Sequence, residues 1–355
     1  MSNYQPGKIR VKHTTLNDFS VSCFQKIGVS DNHAKILGDT LVQADLRGVD
    51  SHGISRLPSY IKRAKRGLIQ YQEKVEIIEK NLCISMIDGK NNFGQIVAYY
   101  GMKEAIRKAK QKETGIGFIG ISHTNHIGMA AYYALMAVKE GMIGIVMSNS
   151  PSTVAPWGGA EPFLGTNPVA IAVPAGNDYP IVLDMATSMV ARGKIRLALK
   201  NNQDIPLGWA LDIDGNPTTD PEKAIKGALL PFGGPKGYAI SLLVQIFSAV
   251  LTNSAREMDV RSIDDFSGKS EIGNFMGAIR VSSFIEQKIF EKEIDELNAR
   301  IRNSKRAKGI ERIYLPGEIE FEVQKEREKN GIPISSGVYN SLREIAQELQ
   351  VNLTF

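Results

Sequence analysis

The stretch DLRGVDSHGISRLPSYIKR, residues 45–63, brings Ser51, His52, Arg56 and Tyr60 together beside a glycine. An imidazole with an ordinary pKa of about 6.5 gives or takes a proton near neutrality. A guanidinium grips a planar carboxylate through two parallel hydrogen bonds. If a helix follows Ser55, with Pro58 tolerated in its first turn, Arg56 and Tyr60 stand four apart and share a face. The chemistry this implies is recognition of a small carboxylic acid beside a group that moves a proton. Ser51 would orient His52 or bond the substrate. A polar loop carrying a surface arginine is the bland alternative.

A second stretch, ISHTNHIGMAAYY, puts His123 and His126 where a strand gives way to a helix, which is where open α/β sheets build sites. The spacing also suits a metal-dependent hydrolase. Zinc sites, however, want a third Cys, His or carboxylate ligand and a general base, and the other histidines besides His52 are His13 and His33, both in helical context. The expectation is therefore no metal, with His123 a structural residue. The run MSNSPSTVAPWGGAEPFLGTNP offers hydroxyls and backbone N–H groups without bulk, as a pyrophosphate requires. So long an irregular run inside a compact domain is more often functional than structural. IVLDMATS ends a buried strand in Asp, Thr and Ser, and PFGGPKGYAISLLVQIF sets glycines and Lys236 at the head of an apolar helix, a natural seat for phosphate.

The elements that must position these groups follow from periodicity. The first 70 residues read as helical, with Thr14 or Thr15 and then Ser30 as N-caps and Gly48 and Gly67 as stops. VEII and LCISMI read as strands, the second closing on Asp88-Gly89. A helix over about 95–112, a strand over 116–122, a helix through GMAAYYALMAVKE and a strand IGIVMSNS come next. PVAIAVP and IVLDMA flank a turn at Gly176-Asn177, and IEQKIFEKEIDELNARIRNSKR is a long amphipathic helix. This is an α/β pattern with a mixed sheet. The division it suggests is an α/β cofactor domain over 75–284 and a helical domain formed by the N- and C-terminal segments, 1–74 with 285–355. GIGFIG, residues 115–120, spells the Rossmann fingerprint, but that motif needs a strand before it and a helix after. Here the helix comes first, so Gly115 reads as a helix stop and the other glycines belong to a strand.

Composition excludes several classes. The chain has 355 residues, a net charge of +5, 43% hydrophobic and 23% charged residues, ordinary values for a globular protein. The basic runs KRAKRG and RIRNSKRAKG read as solvated helix faces, and no interleaving of aromatic and basic residues supports nucleic-acid binding. Cys23 and Cys83 are the only cysteines, too few for a disulfide framework. The start, MSNYQPGKIRVK, lacks the apolar core of a signal peptide, and no run approaches a membrane span. A cytoplasmic protein without membrane partners is expected.

Taken together, SHGISRLPSY, SHTNHIG, APWGGAEPFLGTNPVAIAVP, LDMATSMVARGKI, PLGWALDIDGNPTTDP, GGPKGYAISLL and LPGE, in this order, resemble the malate/L-lactate dehydrogenase family. That group is unrelated to Rossmann-type lactate dehydrogenases and includes ureidoglycolate and sulfolactate dehydrogenases and piperideine-2-carboxylate reductase. The match runs from about residue 14 to the C-terminus. The resemblance implies a non-Rossmann fold, NAD or NADP as cofactor, a homodimer, and a small 2-hydroxy acid of the malate, lactate, sulfolactate or ureidoglycolate type as substrate. Reduction of a cyclic imine 2-carboxylate is the alternative, and a non-catalytic binding protein on the same fold is opposed by the intact His, Arg and Tyr set. Ser51, His52, Arg56 and Tyr60 match the family's substrate and proton-transfer segment, and His126 its second active-site histidine. Ser150, Asp184, Met185, Ala186, Thr187, Ser188, Lys236, Pro316, Gly317 and Glu318 match its cofactor contacts. Ile127 stands where many relatives have Phe, and Pro235 where Tyr is frequent, so substrate identity does not carry over. Either His52 or His126 would transfer the proton; Ser51, adjacent to His52, favours the former.

Overall fold

The structure is a computed structural model that describes residues 8–72 and 74–355; the head of the MSNYQPGKIRVK stretch lies outside the described residues. Strand β1 (Lys8–Val11) leads into α1 (His13–Lys26), α2 (Asp31–Leu46) and α3 (Leu57–Lys65). The first N-cap is Lys12 rather than Thr14 or Thr15, because the chain turns into the helix as soon as β1 ends. Ser30 does stand at the N-cap of α2, although its side chain makes no capping bond. Gly48 and Gly67 follow α2 and α3 with φ of +79° and +70°, the left-handed conformation in which glycine ends a helix without a Cβ penalty.

The α/β region begins with β2 (Glu76–Glu79) and β3 (Ile84–Asp88), then α4 (Gly94–Lys110), β4 (Ile116–Thr124), α5 (Ala130–Val138) and β5 (Met142–Ser148). A hairpin of β6 (Val169–Val173) and β7 (Ile181–Met185) comes next. A small unit contains α6 (Arg192–Lys200), β8 (Ala210–Leu211), β9 (Pro217–Thr218), α7 (Pro221–Lys226) and β10 (Ala228–Leu229). The chain continues through α8 (Pro235–Gln245) and β11 (Ile272–Arg280) to α9 (Gln287–Arg302), α10 (Glu318–Asn330), β12 (Ile332–Ser335) and α11 (Ser336–Leu349).

The main sheet has the order β2-β3-β4-β11-β5-β6-β7. Only β3 and β4 run parallel; every other pair is antiparallel. The sheet is therefore mixed, as the residue pattern implies. Its central strand, β11, was not legible in the sequence and separates β4 from β5. The GIGFIG hexapeptide lies in β4 and the turn before it, with helix α4 upstream, the reverse of a dinucleotide-binding turn. Its glycines serve packing. A Cβ on Gly117 would come within 2.2 Å of the Ala105 carbonyl oxygen of α4, and one on Gly120 within 2.6 Å of the Met86 sulfur. Gly115, at φ +66°, closes the turn between α4 and β4.

One buried core gathers α1, α2 and α3 with β12 and α11, through Leu16, Phe24, Leu37, Leu57, Ile332 and Leu342. A second lies between the sheet and α4 and α5, through Val97, Ile119, Tyr133, Val146 and Met276. The two are stitched together: Phe93 and Ile96 of the α4 start belong to the first, Ala44 of α2 to the second. The C-terminal segment divides. β12 pairs with β1, whereas α9 grips the β6–β7 turn, the Asp295 carboxylate accepting from the Gly176 and Asn177 N–H groups at 3.0 and 2.8 Å.

Candidate active site

The segment between α2 and α3 is held from below. Asp45, at the end of α2, accepts from the Ile54 N–H at 2.7 Å. Gly53 must be glycine there, since a Cβ would lie 1.9 Å from the Asp45 carboxylate. Burial pushes the Asp45 carboxyl up to about 8, opposed by the Ile54 N–H. Arg327 of α10 pairs with Asp50 and donates to the Asp45 carbonyl. Anchored in this way, the segment presents Ser51 and His52 beside the start of α3, where Pro58 occupies the first turn.

His126 arrives from the other side, two residues past β4. The Asn125 side chain, 1% exposed, donates to the Asn91 and Asn92 carbonyls at 3.1 and 2.9 Å. A Cβ on Gly94 would meet the Asn125 carbonyl at 2.1 Å, so the start of α4 abuts this turn directly. Asp184, at the end of β7, accepts from the Ala131 N–H at 2.8 Å and so caps α5 immediately after the histidine turn. Burial raises the Asp184 carboxyl to about 6, with that N–H opposing.

Between these two supports the side chains converge. Ser51 Oγ lies 2.9 Å from His52 Nδ1. The His52 and His126 rings stack at 5.3 Å with an interplanar angle of 26°. Tyr60 Oη lies 2.7 Å from His126 Nδ1. Arg56 donates from Nε to the Ser51 carbonyl at 2.7 Å and pairs through Nη1 with Asp264 at 3.2 Å. Each imidazole is thus held by its Nδ1, which leaves Nε2 as the atom available to a ligand. Burial lowers the His52 pKa to about 4, helped by the Arg56 charge. Burial also takes His126 well below its ordinary value, followed by the charges of His52 and Arg56. Both rings are neutral at physiological pH. Tyr60, 1% exposed, is pushed up by burial and keeps its proton.

His123 stands apart from this group. It takes φ +49°, and its side chain, 41% exposed, faces Asp88 at 3.2 Å. Among the described residues no group of three or more His, Cys, Asp or Glu side chains gathers as a metal would need.

The residues matched to cofactor contacts fall in four turns: three are linked beyond the end of β7, and the fourth, Pro316–Glu318, lies against the start of that strand. Ser150 Oγ accepts from the Asn167 N–H at 3.1 Å and meets Thr166 Oγ1 at 3.1 Å, closing the 148–167 loop on itself. Asp184 and Met185 end β7; Ala186 follows, Thr187 donates to the Thr166 carbonyl at 3.0 Å, and Ser188 bonds the Val190 carbonyl at 2.9 Å. The Phe232 N–H donates to the Thr187 carbonyl at 3.1 Å, joining this turn to Gly233, Gly234 and Lys236 at the head of α8. Pro316 accepts from the Val182 N–H at 3.0 Å, and Gly317 lies so close to β7 that a Cβ would be 2.7 Å from Val182. Glu318, 2% exposed, is consumed by the Leu315 N–H at 2.9 Å and by Arg302 and Arg312. Asp45, Asp264, Ser59 and Arg327 were not singled out in the sequence. The carboxylate opening DLRGVDSHG was a visible signal for Asp45, whereas nothing local marks Asp264, more than 200 residues from Arg56.

Stacked neutral imidazoles beside a buried phenol and an arginine, on a mixed sheet whose glycine-rich strand follows its helix, define an α/β enzyme of a non-Rossmann class. The chain belongs to the malate/L-lactate dehydrogenase family, whose sequence pattern matches residues 11–343; it is an oxidoreductase family. The chain is 42% identical over 335 residues to the malate/(S)-sulfolactate dehydrogenase of Methanothermus fervidus, covering 94% of this chain and 96% of that one. It is 32% identical to the NAD(+) ureidoglycolate dehydrogenase of Escherichia coli K12, with 94% and 95% covered. Among solved structures, sulfolactate dehydrogenase from Methanocaldococcus jannaschii superposes with a TM-score of 0.92 at 40% identity, over 97% of this chain and 98% of that one.

Proposed function

We propose that the chain is an NAD- or NADP-dependent dehydrogenase that interconverts a small 2-hydroxy acid and its 2-oxo acid. The observation that carries this reading is the pair of imidazoles, each fixed by Nδ1 and stacked together, beside an arginine anchored to the same segment. Arg56 holds the substrate carboxylate. His126 is the proton carrier, because its ring is fixed by a buried phenol, while His52 is fixed by an exposed serine with which water competes. Rigid support of this kind is what proton transfer in a set geometry needs. His52 then positions the substrate oxygen through Nε2. Burial keeps His126 neutral, and in the tautomer whose Nδ1–H donates to Tyr60 Oη its Nε2 lone pair takes the hydroxyl proton in the oxidative direction.

The head of α8 fits a pyrophosphate. Gly233 and Gly234 stand at φ of +56° and +63°, no side chain caps the helix, and Lys236 is exposed in its first turn. An uncapped helix start with a cation beside it attracts phosphate. When bound, the nicotinamide cofactor supplies the hydride chemistry. Ser150 and the Asp184–Ser188 turn line its path, and Pro316, Gly317 and Glu318 hold the adjoining edge, Glu318 by fixing the turn through Arg302 and Arg312.

A homodimer and a cytoplasmic location belong to the same reading. The helix from α8 through a π-helical turn at Ile246–Val250 exposes Ile240, Leu242, Leu243, Ile246, Val250 and Leu251, and an apolar helix face of that size calls for cover. Light scattering should give twice the chain mass. The cysteines are unpaired, and no described helix is long and apolar enough to cross a membrane. The reading as a whole is tested by a panel of 2-oxo acids and one cyclic imine 2-carboxylate with NADH and NADPH, followed by nicotinamide absorbance. Turnover of the imine alone moves the assignment to the reductase reading, and no turnover of any member overturns both.

A further inference from the structure

One face of α3 carries a strap of chain, residues 262–270, that leads into β11. Arg63, 1% exposed, donates from Nη1 to the Ser262 carbonyl at 3.3 Å and to the Asp265 carbonyl, and from Nη2 to the Gly268 carbonyl and Ser270 Oγ, both at 2.9 Å. The Phe266 ring lies under Lys62 at 4.5 Å and Arg66 at 5.0 Å. Near the start of the strap stands Asp264. One carboxylate oxygen accepts from Ser59 Oγ at 2.9 Å and the other from Arg56 Nη1 at 3.2 Å. The strap is therefore fixed along its length by a buried arginine, and its Asp264 bears on Arg56.

A guanidinium can grip a carboxylate with two donors along its Nε/Nη2 edge or its Nη1/Nη2 edge. In this protein Nε is given to the Ser51 carbonyl and Nη1 to Asp264, so each edge already has one nitrogen engaged. The Ser51 bond is short and belongs to the anchored segment. The Asp264 bond is longer, and its partners are 32% and 45% exposed. We propose that Asp264 is an internal competitor for the substrate carboxylate: it occupies Arg56 in the free protein, yields Nη1 when an acid binds, and thereby sets the affinity of the site for its acid. The inference rests on the assignment of Arg56 as the carboxylate-binding residue. It makes Asp264 a determinant of affinity that acts through Arg56, and its removal should produce a gain, which loss of a merely structural contact does not.

The test is calorimetric titration of oxalate into the full-length chain saturated with NADH. Asp264→Asn keeps the shape and removes the charge, and should bind oxalate roughly two- to fivefold more tightly, the worth of a half-exposed ion pair. Ser59→Ala, which removes the bond that holds Asp264 in place against Arg56, should give a smaller gain in the same direction. In an Arg56→Lys background the gain from Asp264→Asn should vanish, since the two act through one contact. Oxalate affinity that is unchanged or weaker in Asp264→Asn overturns the competitor role alone. Absence of saturable oxalate binding by the unsubstituted chain removes the carboxylate clamp, and with it both this inference and the role given to Arg56.

Discussion

The two ends of the site are built by different means. At the proposed substrate end, side chains meet side chains: Tyr60 reaches His126 and Arg56 reaches Asp264 across distant parts of the chain, and Ser51 holds the adjacent His52. At the proposed cofactor end backbone groups take part in the linking contacts: Phe232 N–H to the Thr187 carbonyl, Val182 N–H to the Pro316 carbonyl, and Ala131 N–H to the Asp184 carboxylate. Reacting atoms need particular groups held at particular places, whereas a dinucleotide is recognised by N–H groups, hydroxyls and space. The lesson is that single side-chain changes should cost much at the first end and little at the second.

The strongest break of this contrast is at His126. His126→Asn should lower kcat by about 10² to 10⁴, the usual worth of a positioned proton carrier, with cofactor binding intact. His52→Asn should instead lower kcat and raise KM together, as a group acting on both ground and transition states does. Steady-state kinetics of both variants decides, and a pure kcat loss at His52 would exchange the roles. The unsubstituted protein adds a pH signature. Oxidation requires a neutral imidazole, and burial depresses both rings, His52 to about 4. The kcat/KM for the hydroxy acid should thus stay level as pH falls through the ordinary imidazole value near 6.5, and decline only well below it. An acid limb near 6.5 would contradict this.

Next in size is Arg56→Lys. Loss of a charge-assisted two-donor contact, about 1.5 to 3 kcal/mol, should lower kcat/KM by about tenfold or more, mostly through KM. Unchanged kinetics would remove Arg56 from substrate binding. At the cofactor end the corresponding change, Lys236→Ala, should weaken NAD(P)H by only about fivefold, the order of 1 kcal/mol for an exposed cation at a helix start. Gly120→Ala presses on the flexible Met86 side chain and should leave nicotinamide affinity untouched. Fluorescence titration of both variants checks the pair, and the opposite pattern would restore the GIGFIG strand as a cofactor element.

How much of this was legible follows the same divide. The α3 start, with Pro58 in its first turn and Arg56 near Tyr60, was readable because helix periodicity is local. The reversed order around GIGFIG was readable for the same reason. β11 was not, since Gly273 and Gly277 interrupt its apolar pattern and its partners lie more than 100 residues upstream. The convergence of His52 with His126 could be suspected only from motif order, because no sequence spacing encodes a contact between separate loops. The hold of Asp264 on Arg56 and of Arg327 on Asp50 are ion pairs over long separations, invisible before the fold is built.

The smallest expected effect is at His123, and it bears on the whole comparison because His123 and His126 share one motif. His123 sits at the last turn of β4 with φ +49°, a conformation that Asn adopts more readily than most residues. Its side chain faces the Asp88 carboxylate at 3.2 Å, the two being 41% and 43% exposed. Such a pair contributes at most about 1 kcal/mol and is screened by salt. His123→Asn should therefore shift the thermal midpoint by no more than a few degrees and leave kcat and KM at their unsubstituted values. The same chemical change three residues on, His126→Asn, removes a half-buried ring bonded to Tyr60 and stacked on His52. If His123→Asn instead cost activity on the scale of His126→Asn, the active group would have to be the strand end as a whole, and the separation of a structural from a reacting histidine would fail. A reversible loss of activity in a chelator, suppressed by excess metal, would extend that failure to the metal-free reading of the motif.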